Sequence, residues 1–246
     1  MKNFCPGAKL IRQPAPEIFK CPNCGEEVEI WTDELRGKCS KCGTVVIKDQ
    51  EQSCLEWCKM AKECVGEEAY NNFMRNRSIT LKKALMEELE QFFGEDKKRI
   101  NHARKVLGFA EEILKNEKGD YHIVIPAAIL HDVGIKIAEE KYGSSDGKLQ
   151  EKEGPPVAEK ILLKHGVSRQ IIDEVCEIIA HHHTPGVVKT LNFSILYDAD
   201  MIVNLGDIAD GLTEEKIDQL IKIVFLTDTG RKIATRELLK KKNKQI

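Results

Sequence analysis

The chain has 246 residues, 41% hydrophobic and 32% charged, which is enough for one sizeable core with a small appended module and excludes a disordered or collagen-like chain. Lys and Arg total 38 against 40 Asp and Glu, a formal charge of −2, so no basic field exists to hold nucleic acid or a membrane surface. The longest continuous apolar stretch, Ile123 to Leu130, is far below the roughly 18 residues of a membrane span, and Met1 to Leu10 lacks a signal peptide's apolar run. A soluble, cytoplasmic protein is expected.

Nine cysteines without a secretory signal point to metal or redox chemistry rather than disulfides. Cys21-Pro-Asn-Cys24 and Cys39-Ser-Lys-Cys42 are two matched knuckles fourteen residues apart, each followed by a glycine, Gly25 or Gly43. Two thiolate pairs that turn back on themselves are what a tetrahedral zinc ion requires, and glycine supplies the turn. A structural zinc ribbon over about 20–48 is predicted, with strands at Val28–Trp31 and Thr44–Ile47. Residues 1–50 hold 8 basic and 7 acidic side chains, so the ribbon is better suited to a protein partner than to nucleic acid. Cys5, Cys54, Cys58 and Cys64 could make a second thiolate site, holding zinc or an iron–sulfur cluster, or could be small buried apolar side chains. Cys176, among Ile172, Val175 and Ile179, is read as a core residue. The cysteine-rich module is expected to span 1–66, with an all-helical domain over 67–246.

In that domain, Leu81, Leu85, Leu89 and Phe92 recur at helical spacing over 80–93, closed by Gly94. Asp96 to Asn116 carries the stripe Val106, Phe109, Ala110 and Ile113. Val124 to Val133 reads as a buried helix with Pro126 in its first turn. Tyr142 to Pro156, rich in Gly, Ser and Pro, is expected to be a loop long enough for a lid. Helices are predicted near 157–165, 168–182, 193–204 and 214–225, with a basic tail at Lys240–Lys244. The fold class is therefore mainly α, preceded by a small β module.

Polar side chains on apolar stripes carry the chemistry. His102 lies four, seven and eleven residues before Val106, Phe109 and Ile113 and so points to the core. His131 continues the face of Val124, Ala127 and Ala128. Asp132 follows it, and Asp200 lies on the inner side of a later helix. Two imidazoles and two carboxylates in one apolar core are costly unless a divalent metal pairs them.

His102, the doublet His131-Asp132 and the distant Asp200, within the context Ala127-Ala128-Ile129-Leu130-His131-Asp132-Val133-Gly134, resemble the H…HD…D signature of the HD superfamily of metal-dependent phosphohydrolases. The resemblance spans about Lys97 to Leu226, within a helical core of about 97–228. It implies an all-helical domain whose metal is held by His102, His131, Asp132 and Asp200. Members with two metals place further histidines after the doublet. At the loop position this chain has Glu153, and His181-His182-His183 ends the following helix. A second metal is thus expected to use Glu153, His181 or His182, with His182 most directly inward and His181 and His183 read rather as supporting or solvated. His122 and His165 are read as structural or surface residues. The GYP motif of cyclic-dinucleotide phosphodiesterases is missing, and Val133-Gly134-Ile135-Lys136 replaces the acidic pair of alarmone hydrolases.

The reading that follows is a hydrolase of a small, nucleotide-like phosphate ester acting through metal-bound water, the metal being Mn, Fe, Co, Ni or Zn. Asp132 is expected to orient or deprotonate the water, with Lys136 and His182 stabilising phosphoryl charge. Two alternatives stand beside it: a di-iron oxygenase on the same fold, which needs six protein ligands, and a non-enzymatic zinc-ribbon adaptor whose helical domain binds a nucleotide.

Overall fold

The computed structural model describes residues 13–47, apart from 22, 33 and 35, and residues 60–240. The chain divides into two compact units, Met1–Leu81 and Lys82–Ile246. The division falls inside a helix, beyond the expected module boundary at 66.

In the first unit, β1 (Pro16–Lys20) pairs antiparallel with β2 (Glu27–Trp31), and β3 (Arg36–Lys38) with β4 (Val45–Ile47). The two strands expected from sequence are β2 and β4; β1 and β3 are their partners. Each Cys-x-x-Cys occupies the turn of one hairpin. The Gly25 amide donates to the Cys21 carbonyl and the Gly43 amide to the Cys39 carbonyl, both at 2.9 Å. Gly25 and Gly43 have φ of 72° and 74°, a region open chiefly to glycine, and this explains the glycine after each knuckle. Cys21, Val28, Ile30, Cys39 and Val46 form a miniature core that Phe19 and Cys24 partly cover. So small a core needs a further tie, and the four thiols are placed to supply it.

After α1 (Ala61–Val65) the described chain is helical, with no strand among the described residues from 60 on. The helix expected at 80–93 is longer, α2 (Glu67–Phe93), and its buried stripe continues through Leu85 and Leu89 to Phe93 rather than Phe92. α3 (Lys97–Leu114) starts at Asp96, whose carboxylate accepts the Arg99 amide at 3.1 Å. α4 (Tyr121–Leu130) begins three residues earlier than expected, which puts Pro126 in its second turn. Every side chain from Ile123 to Leu130 is buried, as befits a central helix contacting α3 and two later helices.

The stretch Tyr121–Tyr142 is long and apolar enough, by length and composition, to cross a membrane, which the shorter run at 123–130 does not suggest. Here 67% of its apolar window is buried inside the protein, and a turn at residues 131–133 divides it into α4 and α5 (Gly134–Tyr142).

The lid expected over 142–156 is instead mostly helix. A short turn at 143–146 leads into α6 (Gly147–Lys164), which contains both Pro155 and Pro156. Asp146 caps it by accepting the Lys148 amide at 2.9 Å. Packing accounts for the helix: Gln150, Glu151, Glu153, Gly154, Ala158, Ile161 and Leu162 form one buried face, and α6 lies along α5. A Cβ on Gly134 would meet the Gln150 carbonyl oxygen at 2.2 Å and the Gly154 nitrogen at 2.7 Å, so the two backbones touch there. Tertiary contact outweighs local proline and glycine signals.

α7 (Arg169–Ile179) packs on α4 and α6, and α8 (Leu191–Ile208) on α3 and α4. A short 3-10 turn (Ala209–Gly211), α9 (Glu214–Val224) and α10 (Asp228–Lys240) complete the described chain. The buried Asp198 of α8 accepts the Leu226 and Thr227 amides, each at 2.8 Å, and the Thr227 hydroxyl at 2.7 Å, tying the start of α10 to α8. Arg236 grips Glu112 of α3 through two bonds, at 2.6 and 2.9 Å.

Candidate metal centre

In the ribbon, Cys21 and Cys42 sulfurs lie 3.5 Å apart and Cys24 and Cys39 sulfurs 3.6 Å apart, with all four within 4.8 Å of one another. Such a cluster suits one tetrahedral thiophilic ion. The Thr44 hydroxyl, 3.2 Å from Cys42 Sγ, leads the effects that lower that thiol to about 5, whereas Cys24, despite a backbone bond at Glu26 that lowers it, is pushed up to about 12 by Cys42, burial and the other thiols, so without an ion the four do not ionise together. Cys5, Cys54 and Cys58, and the side chain of Cys64, lie outside the described residues, as does the second thiolate site expected from them. Cys176 is half-buried, its thiol 3.5 Å from the Pro155 carbonyl and raised to about 11, chiefly by burial. It is a packing residue.

The helical unit brings His102 (α3), His131 and Asp132 (the α4–α5 turn) and Asp200 (α8) to one point. His102 Nε2 is 3.0 Å from Asp200 Oδ1, 3.3 Å from His131 Nε2 and 3.5 Å from Asp132 Oδ2. His131 Nε2 is 3.4 Å from Asp132 Oδ2 and 3.6 Å from Asp200 Oδ1. His102, His131 and Asp200 form one potential ligand group, while Asp132, His182 and His183 form another. The two oxygens of Asp132 face different ways. Oδ2 addresses His102 and His131, and Oδ1 lies 3.6 Å from His182 Nε2.

The supporting bonds orient these groups for a cation. His131 Nδ1 donates to the Ala128 carbonyl at 3.0 Å and His182 Nδ1 to the Ile179 carbonyl at 2.7 Å, so both Nε2 atoms turn lone pairs inward. Asn204 donates to Asp200 Oδ2 at 2.9 Å, leaving Oδ1 for the centre. His182 Nε2 is buried without a hydrogen-bond partner, a costly arrangement that a metal ion would relieve. Without an ion the charges compensate one another. Burial disfavours charge on His131, but Asp132 and Asp200 outweigh it and hold its imidazole well above the usual range. Burial likewise opposes charge on Asp132, yet His131 and His182 hold its carboxyl well below the usual range; Asp200 is lowered too, by His102 and His131 against burial. The His131 and His182 side chains are almost wholly enclosed, whereas His102 and Asp132 keep 19% and 15% of their surface open and mark the accessible side.

Several expected residues lie elsewhere. Glu153 accepts from Lys141 and from the Tyr142 hydroxyl at 2.8 Å, beside a separate cavity of about 680 Å³ between α2, α5 and α6, and belongs to neither ligand group. Its place on a helix rather than a loop fixes this direction. Lys136 donates to the Phe92 carbonyl at 2.7 Å with its ammonium over the Phe92 ring, so it is committed to packing α5 on α2. Of the two histidines expected to be supporting or solvated, His181 joins neither group, whereas His183 lies with Asp132 and His182. Asn204 is not among the expected residues, although its position one helical turn beyond Asp200 is a signal for it.

The HD domain family model matches residues 99–240, more than half of the chain, and the chain belongs to that family. Among solved structures, a protein described as a predicted HD superfamily hydrolase from an uncultured Thermotogales bacterium is similar, with 27% identity and a TM-score of 0.50 over 66% of this chain and 88% of that one. No curated protein matches. Family and neighbour together place the chain among the metal-dependent hydrolases, and the HD domain implies a divalent metal, for which His102, His131 and Asp200 are suitable ligands.

Proposed function

We propose that the helical unit is a phosphohydrolase of a small, nucleotide-like phosphate ester, with one ion held by His102, His131, Asp132 and Asp200 and a second by Asp132, His182 and His183. The observation that carries this reading is the shared carboxylate: Asp132 lies 3.4 Å from His131 through Oδ2 and 3.6 Å from His182 through Oδ1. A carboxylate placed between two ligand groups could hold an ion on each side, and such a pair would stabilise both the attacking and the leaving oxygen of a displacement at phosphorus. A divalent ion at this centre would lower the pKa of a bound water toward about 7 and offset phosphoryl charge.

The chain's own residues do the rest. His131 and His182, locked through Nδ1, hold fixed inward lone pairs, so little reorganisation accompanies reaction. Asn204 keeps Asp200 from rotating. Asp132, anionic and reachable from solvent, is placed to orient an attacking water. Water oxygen adds to phosphorus, the ester P–O bond breaks, and the proton that the water gives up passes through solvent to the departing alcohol oxygen. With Lys136 turned to Phe92, no lysine is assigned to the phosphate.

A panel of phosphomonoesters and phosphodiesters, assayed with Mn, Fe, Co, Ni or Zn by phosphate or alcohol release, tests the reading. Release from at least one ester class, lost on chelation, is expected; no turnover with any metal would refute it. The oxygenase alternative gains support from the six side chains that the two ligand groups contain with Asp132 counted once. Oxygen uptake by iron-loaded protein in place of ester hydrolysis would favour it.

A further inference from the structure

His131 and His182 each give their Nδ1 hydrogen to a carbonyl three residues earlier, but the partner of His183 is a side chain from another helix. Gln150, buried near the start of α6, has Nε2 at 2.6 Å from the Ser145 carbonyl and Oε1 at 3.1 Å from His183 Nε2. Chemistry fixes both orientations. A carbonyl only accepts, so the Gln150 NH2 must face Ser145; its oxygen therefore faces His183, and His183 Nε2 must carry the hydrogen. Nδ1 is then the lone-pair nitrogen of His183.

The adjoining residue fixes the main chain at the same place. Glu151 accepts the His183 amide at 3.1 Å and the Thr184 hydroxyl at 2.8 Å, and Lys148 bonds to both Glu151 and Thr184. Gly147 lies against the ring carbons, where a Cβ would come within 3.1 Å of His183 Cδ2. The first turn of α6 thus holds the ring, amide and flank of one histidine.

We propose that Gln150 is a positioning residue that makes His183 a ligand through Nδ1 for the ion shared with Asp132 and His182. It rests on the two-ion reading above. Outer partners of metal-bound histidine typically change affinity by about 10- to 100-fold.

The test is Mn²⁺ titration of the full chain with its ribbon zinc retained, since manganese prefers carboxylate and imidazole to thiolate. Wild type should bind two Mn²⁺. Gln150→Leu should weaken only one of them, by about 10- to 100-fold, and Gln150→Glu, which still accepts from Nε2 but sets its second oxygen against the Ser145 carbonyl, should recover part of that loss. Two ions bound equally well by Gln150→Leu would overturn the role of Gln150 while leaving the two-ion reading standing. A single ion in wild type would overturn both. Nitrogen NMR of ion-free wild type provides a test without a variant: a hydrogen on His183 Nε2 is expected, and one on Nδ1 would refute the assignment.

Discussion

His131 and Asp132 are consecutive in the chain, yet their side chains meet again across the α4–α5 turn, Nε2 to Oδ2 at 3.4 Å. The turn lets neighbouring residues on a buried helix end point to one centre, where His102 and Asp200 arrive from α3 and α8. Asp132→Ala should therefore abolish metal binding in the helical unit, His131→Ala should remove the ion held with His102 and Asp200, and either should reduce hydrolysis below about 1% of wild type, since even outer partners are worth up to about 100-fold. Ribbon zinc, measured by elemental analysis, should remain. Full turnover by either variant would rule out the proposed centre.

The same pair predicts the pH dependence of the ion-free protein. The Asp132 and Asp200 carboxyls are depressed, so their stabilisation is present above the unfolded carboxyl value of about 3.9 and is lost as pH falls through the folded values. The His131 imidazole is raised; its contribution is full below the unfolded value of about 6.5 and fades as pH rises through the folded one. Urea unfolding of chelated protein should show greatest stability between about pH 4 and 6.5. Asp132→Asn should flatten both limbs, and an unchanged profile would contradict the charge pairing.

Backbone contact between α5 and α6 makes Gly134 sensitive for steric reasons. In Gly134→Ala the new methyl meets the Gln150 carbonyl and the Gly154 nitrogen, neither of which can swing aside. A cost of about 1–3 kcal/mol is expected, or about 2–4 °C of melting temperature per kcal/mol. Calorimetry of wild type and variant checks it, and an unaltered midpoint would mean that the helices separate more easily than this contact implies.

For the ribbon, Cys24→Ser or Cys42→Ser should lose one zinc and unfold the β1–β4 segment, because the ion supplies folding free energy that five core residues cannot. The α3–α10 helices should keep their melting transition. Unchanged zinc content in both variants would disprove the four-thiolate site.

Legibility in the sequence follows the range of the interaction. The knuckles are readable because both thiols and the following glycine act within five residues, and the positive φ of Gly25 and Gly43 is the local reason. His102 and His131 are readable as inward groups because helical periodicity sets direction. The proline-containing 147–164 segment is not readable as a helix, since its formation depends on the face it buries against α5, which no local pattern records. For the same reason Glu153 points, in sequence, to the metal and in the fold joins Lys141 and Tyr142.

The mainly helical class, the paired knuckles and the H…HD…D spacing are legible along the chain, because helix periodicity and turn chemistry are short-range and survive in one dimension. The fold in three dimensions sets His183 rather than Glu153 near His182 and Asp132, turns Lys136 to the Phe92 carbonyl, and brings Asn204 to Asp200 and Gln150 to His183. Those choices depend on which side chains meet across separate helices, at hydrogen-bond distances that chain spacing does not encode.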